Sequence, residues 1–341
     1  MAAKMTWHFL NQGDGWKWNG AVFQKIEDTE NEWRTINSIV RCQEMFYDTL
    51  KGHEYVSADF QPTPLDNQVY FSRYFRNGKE IASPGQSSGR DLDENRKRKQ
   101  SQFCINHIAW GKLYDQSFED AVSLIFHELV HVEETGDYTI GVANTGEKKM
   151  DKTQGADVFN EALTNLKTKR LVERLFGAEM PKKEQLDCGL KTNIGLFNYS
   201  LATQLVDNMF TAMDVDIDEL IKDGINNKAN HKETITDLFK NVDVDFINDI
   251  ATPMEVLFPI IYQNRIRNLT SEEQKIVCDV VKEMQEKTKE IYTRKNPEAT
   301  TEDKENLSSN FLDYTDIHKH TKFPMRELCG VKPQNGSLID K

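Results

Sequence analysis

Apolar positions follow two different periods along this chain, and the two occupy different regions. Near the N-terminus the pattern is short and alternating. Residues 16–27, "WKWNGAVFQKIE", read as a hairpin turning at Asn19-Gly20. Residues 54–60 and 68–75 are strand-like, Asn77-Gly78 marks a second hairpin turn, and "SQFCINHIAW" (101–110) is the last strand candidate. One helix interrupts this region, with Thr29 and Glu32 as a capping box, Trp33, Ile36, Val40, Tyr47 and Leu50 at helical spacing, and Gly52 as its stop.

After Trp110 the period becomes helical. Ser117 can cap a helix through "FEDAVSLIFHELVHVEET", with Glu119 and Asp120 in its first turn and Gly136 beyond its end. A polar stretch, 137–154, precedes a helix over 155–176. Further helices are expected at 197–213, 232–247, 254–267 and 271–294, the last opened by a capping box of Thr270 and Glu273. The expected class is α+β, a small N-terminal β-sheet over a helix, followed by a mostly helical C-terminal half. The expected division is 1–180, 181–296 and a polar segment 297–341.

The 341 residues suffice for a sizeable core, with 38% apolar and 10% aromatic positions. Lys and Arg number 43 against 55 Asp and Glu, a net charge of −12, which argues against a nucleic-acid partner. The basic run 96–99 lies among acids and reads as a solvated loop. Five widely spaced cysteines form no CxxC pair and no disulfide framework. No stretch has the apolar core of a signal peptide or the length of a membrane span. The expectation is a soluble protein, cytoplasmic or secreted without a cleavable signal.

The capped helix after Ser117 carries His127, Glu128 and His131, the pattern HExxH. Four residues along a helix return to nearly the same face, so the two imidazoles can hold one metal ion. Glu128 stands at the edge of that face, where it can take a proton from a zinc-activated water. The flanking Leu124, Ile125, Leu129, Val130 and Val132 make this a buried helix, in which three polar groups are costly unless something holds them. A catalytic zinc takes three protein ligands and keeps an open position. Asp137 is the near candidate for the third, but Glu134 stands where the helix would have to break, and the first glycine is Gly136. Glu161, on the next helix among Phe159, Ala162, Leu163 and Leu166, is the far candidate.

"FHELVHVEETGDYTIGV" followed by "GADVFNEALTNL" resembles the gluzincin metallopeptidases, in which HExxH is followed by a helix carrying Asn-Glu-x-x-Ser/Thr. The resemblance covers residues 117–176. It implies a zincin-like fold, one zinc ion held by His127, His131 and Glu161, and Glu128 as general base. Two features depart from the thermolysin-like members. The connection from His131 to Glu161 is longer, and Asn165 stands where they carry an aspartate orienting the first histidine. Asp157, one turn before Glu161, is the alternative for that role.

The strand 103–108, with Asn106 in it, is the expected edge for binding substrate backbone. A donor to the oxyanion should come from the second half, and Tyr262 is preferred over His231 and Tyr199. "HKH" (318–320) reads as a solvated tail. The resulting expectation is a zinc-dependent endopeptidase acting on a protein or peptide. The same residues also fit a zincin-fold binding protein with a structural metal, or a secreted effector protease with one target protein.

Overall fold

The computed structural model of the chain describes residues 16–18, 23–25, 30–63, 69–71, 74–76, 79–81, 85–88, 102–134, 157–176, 200–227, 231–257, 260, 270–308 and 311. Helices dominate: α1 (Glu30–Gly52), α2 (His107–Gln116), α3 (Phe118–Glu134), α4 (Asp157–Phe176), α5 (Ser200–Met213), α6 (Ile217–Asn226), α7 (His231–Lys240), a π-turn (Phe246–Ala251), α8 (Thr252–Glu255), α9 (Ser271–Lys295) and α10 (Thr301–Ser308).

The α+β class with an N-terminal sheet over the motif helix is corrected by this arrangement. Only one strand, Gln102–Asn106, lies among residues described with their side chains. The other extended pieces are backbone fragments of three or four residues, such as Val69–Phe71 beside it in parallel and Gly85–Ser88 antiparallel. The physical reason is length. A three-residue strand offers too few ladder hydrogen bonds and too little apolar face to form a layer. Helices make up most of the surroundings of the motif helix, with α1, α2, α4 and α6 as neighbours beside the short strands Gly85–Ser88 and Gln102–Asn106. The described residues are mainly helical.

The expected strand 101–110 stops early for a local reason. Asn106 has extended backbone, and its side-chain oxygen accepts from Ala109 N at 3.0 Å, so it opens α2 and residues 107–110 are helical. Ser117 then closes α2, donating its N–H to Leu113 O, and opens α3 by accepting from Ala121 N. The Trp110 indole N–H donates to Ala121 O at 2.9 Å inside the core and ties the two helices together. Thr270 and Glu273 cap α9 reciprocally, as their spacing predicts.

Three helices end in the same way. Tyr55 N bonds Leu50 O, Val215 N bonds Phe210 O and Val244 N bonds Phe239 O, with Glu54, Asp214 and Asp243 at φ near 57° between them. These are Schellman ends, with an acidic residue where glycine is usual. Gly52 is therefore not the residue that turns the chain out of α1.

Two clusters of buried side chains make the core. One gathers Ile39, Phe46, Phe103, Trp110, Ile125, Phe126 and Leu129 around the motif helix, and Phe46 and Phe126 meet edge to face at 5.2 Å. The other joins Phe159, Phe210, Phe239 and Phe246 with residues of α5, α6 and α9. Helix α4 belongs to both: Val158–Leu166 enter the second cluster, while Leu171 and Val172 enter the first. Its position is thus set from two sides. Among the described residues no helix is long and apolar enough to cross a membrane.

Candidate metal centre

Helix α3 packs along α4, and one seam between them is polar. His127 Nε2 lies 3.1 Å from Glu161 Oε2, and His131 Nε2 lies 3.4 Å from Glu161 Oε1. The two imidazole Nε2 atoms are 3.2 Å apart. Two donors bound to one ion at zinc–nitrogen distances and the tetrahedral angle stand about 3.3 Å apart. Two neutral imidazoles and a carboxylate are also a donor set that zinc takes. The three residues therefore fit a divalent ion, and they form a group that could hold one.

The electrostatics couple Glu161 to the two histidines. Burial works to raise the Glu161 carboxyl, but His131 and His127 outweigh it and hold it well below the usual carboxylate range. Burial works to lower His131, and Glu161, then Glu128 and Glu134, outweigh that and raise it. Glu128 is 6% exposed on the same helix, and its charge acts on His131.

The structure adds two positioning contacts that sequence reading did not single out. Thr164 Oγ1 lies 3.5 Å from His131 Nδ1, on the far side of that ring from Glu161. It is the threonine of "NEALT", one turn after Glu161, so the spacing carried the signal. At the start of α4, Val158 N donates to Glu255 Oε1 at 2.8 Å, which anchors the helix one turn before Glu161.

Other expected residues are elsewhere or lie outside the described set. Asn165 turns away from the histidines, and its amide donates to Thr203 Oγ1 on α5 at 3.2 Å. His127 Nδ1 is buried and makes no hydrogen bond among the described residues. Asn106 is 1% exposed and serves as the cap of α2. His231 is buried against Lys167 and Asp223. The side chain of Asp157, and Tyr262, Asp137, Tyr199 and residues 318–320, lie outside the described residues.

A cavity of about 840 Å³ opens between the α5–α6 turn, α7 and the end of α9, lined by Asp216, Leu220, Asp223, Leu238 and Arg294 among others. None of the three metal-group residues lines it. No family model, curated protein or solved structure matches the chain.

Proposed function

We propose that the protein is a zinc-dependent peptidase, with His127, His131 and Glu161 as the metal ligands and Glu128 as general base. The observation that carries the reading is the convergence of three ligand residues from two helices, with donor-atom separations of 3.1, 3.2 and 3.4 Å, next to a buried glutamate. A zinc ion held by this set supplies a Lewis acid and a nucleophile at neutral pH.

The chain's own groups do the rest. Glu161 uses one oxygen on each histidine and brings the negative charge that favours a cation. Glu128 lies next to His127 in sequence, about a quarter turn around the helix, and is the carboxylate placed to take and return the proton of the attacking water. Tyr262 is proposed as donor to the oxyanion from its place in the sequence. The substrate class, a peptide or protein, follows from the likeness of the two helix motifs to gluzincins.

The test is direct. Purified protein is expected to contain about one zinc per chain and to cleave a peptide library. Glu128→Gln is expected to retain the metal while losing at least about a hundredfold in rate. A metal-free protein, or a Glu128→Gln variant as active as wild type, overturns the reading.

A further inference from the structure

The pairs across the α3–α4 seam keep a nearly constant sequence offset. His127 meets Glu161 at an offset of 34, His131 meets Thr164 at 33, and Glu134 meets Lys167 at 33. The two helices therefore run in the same direction along the seam. From Glu161 to Lys167 is about 9 Å of helix, and from His127 to Glu134 about the same. The polar stripe of α4 thus has its metal ligand at one end and a buried cation at the other.

That cation is held on every side. Lys167 has no exposed side-chain surface. It donates to Glu134 Oε1 at 2.7 Å, to Glu134 Oε2 at 2.8 Å and to His231 Nε2 at 2.9 Å. A lysine donor on Nε2 leaves the proton on Nδ1, which donates to Asp223 Oδ2 at 2.6 Å. The chain of bonds links α3, α4, α6 and α7. Gly224 forms the remaining wall. A Cβ there would stand 2.5 Å from Glu134 Oε1 and 3.1 Å from Lys167 Nζ, so any larger residue would push the pair aside.

We infer that the Glu134–Lys167 pair, backed by His231 and Gly224, is a positioning element that sets the register of α4 on α3 and hence where Glu161 meets His127 and His131. The two apolar clusters seat α4, and the buried pair adds a directional constraint on its register that burial of apolar area alone does not supply. A slip of one turn, about 5.4 Å, would leave Glu134 buried without its counter-charge, which costs far more than an intact pair gains. The inference rests on the metal-site reading above.

The experiment measures zinc affinity of the full chain by chelator competition, and the visible spectrum of the cobalt(II)-loaded protein as a report of coordination geometry. The double variant Glu134→Gln/Lys167→Met removes both charges at similar volume. It is expected to weaken zinc binding about tenfold or more and to change the cobalt spectrum. Gly224→Ala, which displaces the pair and keeps every ionisable group, is expected to shift both readouts in the same direction. Asp218→Asn breaks an ion cluster between α4 and α6 elsewhere, and is expected to lower the melting temperature with affinity and spectrum unchanged.

The inference is overturned if the folded double variant and Gly224→Ala both bind zinc as wild type does with an unchanged spectrum. It is also overturned if Asp218→Asn weakens binding as much as they do. Should the double variant fail to fold, Gly224→Ala decides alone. Wild-type protein that binds neither ion overturns the metal reading itself, a result distinct from a register effect.

Discussion

His127 Nε2 and His131 Nε2 face each other at 3.2 Å, and each also faces one oxygen of Glu161. A cation between them would take both Nε2 lone pairs, and the Glu161 carboxylate would bring the negative charge. A cation bound there by the folded chain alone would add about 2.7 kcal/mol at a hundred times its Kd. Stripping the metal with a chelator is therefore expected to lower the melting temperature by roughly 5 °C, measured by calorimetry, with recovery on adding zinc. Glu161→Ala is expected to show no such response.

Glu133, next in sequence to the lysine-paired Glu134, is fully buried on a different face of α3. It accepts from the Tyr47 hydroxyl at 2.8 Å, from Thr63 N at 3.0 Å and from Thr63 Oγ1 at 2.8 Å. This carboxylate fastens the motif helix to α1 and to the segment before residue 64. Tyr47→Phe removes a hydrogen bond to a charged group inside the core and is expected to cost about 1.5–3 kcal/mol in urea unfolding. Zinc affinity is expected to stay the same, because the loss falls on the face of α3 away from the metal group.

Glu54 sits at φ 57° at the end of α1. A side chain in this left-handed region crowds the following carbonyl, and glutamate lacks the short polar group that lets asparagine or aspartate tolerate it. Glu54→Gly is expected to stabilise the protein by about 1 kcal/mol, less the entropy glycine adds to the unfolded chain. A higher urea midpoint at unchanged slope checks this.

Acid should weaken the fold through Asp218 and Asp223. Burial works to raise Asp218, but hydrogen bonds from Arg170, Tyr55 and Arg174 outweigh it and hold the carboxyl well below its ordinary value of 3.8. Burial raises Asp223 too, and His231 chiefly outweighs it, bringing it down to about 2. A carboxyl lowered in the folded state contributes stability that is complete above its unfolded value and is lost as pH falls through the folded one. Asp218→Asn is expected to melt several degrees below wild type at pH 7. That gap is expected to close as pH falls below about 4, followed by melting curves across the acid range.

The parts of this protein that could be read from the chain are those set by local spacing. Ser117 opens α3, Thr270 and Glu273 cap α9, and His127 and His131 share a helix face, all within one or two turns. The sheet was misread because alternation marks strand-like residues without giving strand length, and the strands are three to five residues long. Asn165 was set beside the histidines by analogy of position. It faces α5, because the rotation of α4 puts Glu161, Thr164 and Lys167 on the seam instead.

By itself the sequence determined that two histidines and a glutamate lie on one buried helix, and that Glu134 keeps this helix unbroken past His131. The tertiary structure decided that Glu134 pairs with Lys167 and that Glu161 stands beside both histidines. The Lys167–His231 contact bridges 64 residues, and the Tyr47–Glu133 contact 86. Such pairs leave no periodic trace in a sequence. They exist because a buried charge is tolerable only against a fixed partner, and only the packing of α4 and α6 against α3 puts those partners in place.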